Sequence, residues 1–186
     1  MPGTIAFVGD SLTAAGRWDE WLPENDVHNL GVPGDTTEQV IERLDAVVDL
    51  DPDAVVLTIG TNDLAWRKAP EDVGRNIETI LVELRKRLPE TRILAVSVLP
   101  REKDYAPAIR GINRHIRQFA ATVHAQFLDL WPALGDEEGG LREGFSDDGL
   151  HLLDAGYEAW RDELLPAIET LFATPPTTRS IPIVQA

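Results

Sequence analysis

The chain contains no cysteine. A disulfide scaffold, a thiolate metal site and cysteine catalysis are excluded, and redox compartment stays open. Basic residues are few. Seventeen Lys and Arg stand against 32 Asp and Glu, a formal net charge of −15, with a pI near 4.5. Neutralising phosphates needs a basic face, so nucleic acid is not an expected partner. Docking on an anionic membrane surface is disfavoured for the same reason. The acid surplus itself reads as solvated surface. No apolar run approaches the roughly 20 residues of a membrane span. The start, Met1-Pro2-Gly3-Thr4, lacks the basic opening and long apolar stretch of a signal peptide, and the expected location is the cytoplasm. Repeats of 20–50 residues and internal linkers rich in Gly, Pro or Ser are also missing.

What is present suits one domain. The 186 residues are 43% hydrophobic and 26% charged, and a chain of this size buries roughly 70% of its unfolded surface without a staple. Short apolar runs alternate with amphipathic stretches. Ile5–Val8, Val27–Leu30, Ala54–Ile59, Ile93–Val98 and Gln126–Leu130 read as strands, the first three ending at Gly9, Gly31 and Gly60. Near-continuous apolar strands imply a sheet covered on both faces. Between them lie helical stripes. Val40, Ile41, Leu44, Val47 and Val48 form one, opened by a Thr36/Gln39 capping box. Val73 to Leu88 form a second, with Pro70 in its first turn and Pro89 as its stop. Ile109 to Val123 form a third. A last helix is expected from an Asp154 cap, kinked or broken at Pro166. From Thr174 the chain is rich in Pro and Thr and is expected to be an extended tail (174–186) outside a domain of residues 1–173. The alternation is that of an α/β fold with a parallel sheet. Ligands of such folds sit at the carboxyl ends of the strands, where strand order reverses.

The turns at those ends carry chemistry-bearing residues. They are Gly9-Asp10-Ser11-Leu12, the run Asn29 to Thr37 around Gly34, and Gly60-Thr61-Asn62-Asp63. Asp147-Asp148-Gly149-Leu150-His151 precedes the last helix. Acyl transfer needs a nucleophile, a base, a group orienting the base, and donors for the oxyanion. Ser11 is the candidate nucleophile and His151 the base. Asp148, three residues earlier, fixes the imidazole tautomer, with Asp147 as its neighbour and rival. The Ser11 and Gly34 amides and the Asn62 side chain are candidate oxyanion donors. Asp10 and Asp63 read as loop braces. Trp66 and Tyr105 are candidate walls of a substrate pocket. Arg101 and Lys103 read as solvated loop. His28, in a strand, and His115 and His124, on one helix, read as structural or exposed, not as metal ligands.

This set of blocks resembles the SGNH, or GDSL, hydrolase superfamily. GDSL, a Gly-x-x-Gly-Asp-Thr run, GTND and DGLH occur in family order, across roughly residues 4–173. Within the superfamily the chain looks most like small intracellular esterases of the platelet-activating-factor acetylhydrolase catalytic-subunit type. The resemblance implies a three-layer α/β/α sandwich with a five-stranded parallel sheet. It implies a serine esterase working through an acyl-serine intermediate, with no cofactor and no metal. It selects Asp148 over Asp147 as the triad acid, and Ser11, Gly34 and Asn62 as the oxyanion hole. The expected partner is a small-molecule ester, short-chain on grounds of chain economy. Carbohydrate O-deacetylase, thioesterase and acyltransferase activities share the same blocks. A non-catalytic binding subunit is disfavoured because every catalytic position is filled. A flavodoxin-like nucleotide binder is disfavoured because no G-x-G-x-x-G follows a strand. Oligomeric state is left open, with a homodimer allowed.

Overall fold

The computed structural model describes residues 3–175. The expected tail from residue 176 onward lies outside the described residues. The elements are β1 (Thr4–Gly9), α1 (Ser11–Ala14), α2 (Trp18–Trp21), β2 (Asp26–Gly31), α3 (Thr37–Glu42), α4 (Leu44–Leu50), β3 (Ala54–Thr58), α5 (Thr61–Ala65), α6 (Pro70–Arg87), β4 (Arg92–Val96), α7 (Ala106–Ala120), β5 (Gln126–Leu128), α8 (Trp131–Leu134) and α9 (Asp154–Ala173).

The five strands run in the order β2-β1-β3-β4-β5, and every pair is parallel. From β1 the chain first builds outward to β2, then returns to build β3 on the other side. That reversal opens a crevice at the carboxyl ends of β1 and β3. Side chains alternate across the sheet and both faces are covered. Ala6, Val8, Val55, Leu57, Ile93 and Ala95 pack under α3, α4, α6 and α7, against residues such as Val40, Val47, Ile80 and Ile112. Ile5, Phe7, Val56, Leu94 and Val96 face Trp18, Leu134, Trp160 and Leu164 from α2, α8 and α9. The near-continuous apolar strands have this double coverage as their cause.

Four local expectations change. The single stripe Val40–Val48 is two helices, α3 and α4, broken at Arg43. The Thr36 N–H and hydroxyl do meet Gln39 Oε1, at 2.9 and 3.1 Å. Arg43 leaves helical geometry (φ −111°, ψ 17°), and its guanidinium reaches Asp35 Oδ2 at 2.6 Å and the Gly9 carbonyl at 3.0 Å. The fourth strand stops at Val96, because the Asn113 side chain takes both main-chain groups of Val98 at 2.8 Å. Pro166 does not break α9, which runs unbroken from Asp154 to Ala173. Buried Leu164 and Ile168 flank it and hold the helix on the sheet, so packing outweighs the lost hydrogen bond. Finally, His124 is not on a helix with His115. It follows the helical segment in a left-handed conformation (φ 54°).

The end of β1 is the tightest point of the sheet. A Cβ on Gly9 would stand 2.2 Å from the Thr58 carbonyl oxygen and 2.2 Å from Thr13 Oγ1. Backbone on one side leaves nothing able to yield. Gly9→Ala is expected to lose about 3 kcal/mol or more of stability. Urea titration followed by circular dichroism checks this, and a variant as stable as wild type would contradict the packing described.

Candidate active site

Ser11 is the first residue after β1 to enter a helix, so its backbone position is set by the sheet. Its amide is one of the donors that a helix start leaves unsatisfied. Asp10 caps that start, accepting the Leu12 N–H at 3.0 Å from a buried position. The short helix α1 is gripped from several sides. The Tyr157 hydroxyl donates to the Leu12 carbonyl at 2.8 Å. Trp18 Nε1 donates to the Thr13 carbonyl at 2.7 Å, and Asn29 Nδ2 to the Thr13 and Ala14 carbonyls, each at 3.1 Å. Burial pushes the Tyr157 hydroxyl pKa up, with the nearby Asp10 adding to the shift, so this donor stays protonated.

The turn before α9 brings in the remaining groups. Ser11 Oγ lies 3.2 Å from His151 Nε2. His151 Nδ1 lies 2.7 Å from Asp148 Oδ2. Asp148 Oδ1 accepts the N–H groups of His151 (2.7 Å) and Leu150 (2.9 Å) and the Ser146 hydroxyl (3.1 Å). The carboxyl of Asp148 is held well below the usual carboxylate range, first by the His151 side chain and then by those amides. An ionised Asp148 assigns the Nδ1 proton to its own side, which leaves Nε2 as acceptor for the serine hydroxyl. Asp147 is exposed and makes none of these contacts. His151 and Asp148 are themselves about half exposed, with side-chain exposures of 55% and 54%.

The oxyanion candidates come from the neighbouring turns. Gly34 has φ 88°, a conformation other residues rarely take, and nothing lies within 4 Å of where its Cβ would be. The backbone there faces open space. Asn62 Nδ2 donates to the Asp35 carbonyl at 2.9 Å, tying its side chain to the Gly34 turn and leaving a second N–H. Asp63 is fully buried. It accepts the Thr37 N–H at 2.9 Å and the Thr37 hydroxyl at 2.7 Å, with Lys68 at 3.5 Å. Asp10 and Asp63 thus brace loops, as their sequence positions suggest.

Other candidates fall elsewhere. Trp66 is 75% exposed at the end of α5. Tyr105 packs against the core under the Arg101 guanidinium, 4.1 Å from it. Arg101 is not solvated loop: it is 6% exposed, because acceptors on Thr61 and Glu102 satisfy it. Lys103 is exposed and pairs with Glu138 at 3.3 Å. His28 pairs with Asp26 and His115 with Glu78. Among the described residues no three His, Asp or Glu cluster as a metal site, and no helix is long and apolar enough to cross a membrane. Arg43, Tyr157 and Arg101 are the supports that sequence reading missed. Their partners lie 34, 145 and 40 residues away, beyond any local pattern.

Burial, before all else, raises the Asp10 carboxyl to about 7. An unfolded Asp titrates near about 3.9, so the folded chain holds a proton there that the unfolded chain has released. This stabilisation is full below about pH 4 and lost as pH rises through about 7. Asp10→Asn keeps an acceptor for Leu12 and stays neutral. Its melting temperature relative to wild type is expected to rise from pH 5 to about pH 7 and to level off by about pH 8. Parallel melting curves for the two proteins would exclude Asp10 as the titrating group.

Comparison with known proteins identifies a family for the chain. A model of the GDSL-like lipase/acylhydrolase family matches residues 7–159. Platelet-activating factor acetylhydrolase IB subunit alpha1 of Bos taurus is 29% identical over 164 residues, covering 82% of this chain and 69% of that protein. A GDSL-like lipase from Bacteroides thetaiotaomicron superposes with a TM-score of 0.77 at 24% identity, covering 90% of this chain and 88% of that one. An acetyl-xylooligosaccharide esterase from Geobacillus superposes with a TM-score of 0.76 at 20% identity, covering 89% and 94%. At such identities these two likenesses speak for the fold alone.

Proposed function

The chain belongs to the GDSL-like lipase/acylhydrolase family and is an ester hydrolase; we propose that it is a serine esterase for small, short-acyl carboxylic esters, acetyl esters above all. The observation that carries this reading is the continuous relay from Ser11 Oγ through His151 (3.2 Å) to Asp148 (2.7 Å). Ser11 Oγ attacks the acyl carbon and His151 Nε2 takes its proton. Asp148 stabilises the resulting imidazolium. The carbonyl oxygen becomes an oxyanion facing the Ser11 and Gly34 amides and the free N–H of Asn62. Collapse breaks the bond to the alcohol, which leaves with the proton from His151. Water then attacks the acyl-serine, gives its proton to His151, and releases the acid as Ser11 recovers that proton.

Hydrolysis rather than acyl transfer fits the half-exposed His151 and Asp148, since water reaches the base directly. Short acyl groups fit the brevity of the turns around Ser11, which leave little chain for a long acyl tunnel. The relatives named as acetylhydrolase subunits point the same way. Trp66, exposed beside the Asn62 helix, supplies a wall for the alcohol or acyl group. Tyr105 contributes through Arg101, which its ring supports. The net charge of −15 favours neutral or cationic soluble esters over anionic ones. Cytoplasmic location and an open oligomeric state complete the reading.

A series of 4-nitrophenyl esters from acetyl to dodecanoyl tests it. Rates are expected to be highest at acetyl and to fall with chain length. Ser11→Ala should lose about 10⁴-fold or more in kcat, and Asn62→Ala about 100-fold. Equal rates for wild type and Ser11→Ala would end the esterase reading. A maximum at long chains would end only the short-acyl part.

A further inference from the structure

A guanidinium is buried only where its donors find partners, and Arg101 finds them on two sides. Its Nε and Nη2 grip Glu102 at 2.6 and 3.2 Å. Its Nη1 donates to the Thr61 carbonyl at 3.2 Å and hydroxyl at 3.3 Å. Tyr105 closes the third side. Thr61 is the first residue of α5 and immediately precedes Asn62. Glu102 faces the other half of the site. Its Cγ lies 2.9 Å from the place a Cβ on Gly149 would occupy, so it rests on the turn between Asp148 and His151. The charge of Asp148 acts on Glu102, opposing the stronger pull of Arg101 that keeps the Glu102 carboxyl below its ordinary range.

That contact matters because the turn has few other ties. Among the described residues, the hydrogen bonds of residues 146–151 run within the turn or to Ser11. By contrast, Gly34, Asn62 and Ser11 are cross-linked through Asp35, Arg43 and Asp63. We propose that the Arg101–Glu102 pair is a positioning device that ties the Asn62 helix to the Asp148–His151 turn, fixing the oxyanion donor and the base relative to each other. The inference rests on the esterase reading above and adds two residues to its machinery. Neither touches substrate. Misplacement of reacting groups by about 1 Å costs on the order of 100-fold in rate, so a brace of this kind acts on kcat rather than on KM.

The test measures kcat and KM of Ser11-dependent ester hydrolysis for Arg101→Met, Asn62→Ala and the double variant, with melting temperatures for each. Arg101→Met is expected to lower kcat by about tenfold or more with KM within about twofold. Arg101→Lys, which cannot bind Glu102 and Thr61 together, should not rescue it. In the Asn62→Ala background the same substitution should cost at least about threefold less, because part of its effect passes through Asn62. An unchanged kcat, a rise confined to KM, or an undiminished effect in that background would overturn the proposal. Should Arg101→Met fail to fold, Glu102→Gln decides, since its side chain is half exposed. It should lower kcat about threefold at unchanged melting temperature, and wild-type kcat would overturn the proposal. Amide hydrogen exchange gives a readout independent of the esterase reading. Exchange in residues 61–65 and 146–151 should quicken in either variant, and unchanged exchange in both segments would overturn the tie even if the chain hydrolysed no ester.

Discussion

The site depends on one buried carboxylate. Asp63 lies wholly out of solvent and receives both the amide and the hydroxyl of Thr37. Buried polar oxygens need hydrogen-bond partners, so this contact locks the start of α3 to α5. Gly34 hangs on the first of these elements and Asn62 on the second. The Asn62 side chain then closes the ring by donating to Asp35. Two loops from different strands acquire a common reference in this way, without a ligand to order them.

The same logic extends to the nucleophile. Arg43 breaks what would otherwise be one helix, and in doing so joins Asp35 to the Gly9 carbonyl at the end of β1. Ser11 follows two residues later, on a helix pinned by Tyr157, Trp18 and Asn29. Only the acid–base turn stands apart. It is organised internally by Asp148, which accepts four hydrogen bonds. Its link to the rest runs through Ser11 and, by packing, Glu102. The structure therefore divides into a cross-linked floor that carries Ser11, Gly34 and Asn62 and a separate turn that carries Asp148 and His151.

Much of this was legible in the sequence, and the reason is local. Strands that end at glycine place their next residues at the sheet edge, so the turns made Ser11, Gly34 and Asn62 candidates, and the family resemblance grouped them. The Asp148–His151 contact was legible because three residues suffice for a carboxylate to reach an imidazole, with the resemblance deciding between Asp147 and Asp148. The misreadings share a different cause. Pro100-Arg101-Glu102-Lys103-Asp104 has the composition of a solvated loop, yet Arg101 is buried by acceptors 40 residues away. The stripe from Val40 to Val48 is continuous in hydrophobicity, and only the reach of Arg43 to β1 interrupts it. Pro166 obeys the local rule in what it cannot donate, but buried neighbours carry the helix through. In each case a long-range polar or packing contact outweighed a local preference.

The central claim is that Ser11 is a nucleophile activated by His151 in the folded chain. A fluorophosphonate that phosphonylates activated serines tests it directly, with intact-mass and peptide mass spectrometry as the readout. A single adduct on Ser11 is expected, absent in Ser11→Ala and formed at least about 100-fold more slowly in His151→Ala. A folded wild-type chain that stays unmodified, or an adduct that persists in Ser11→Ala, would contradict it.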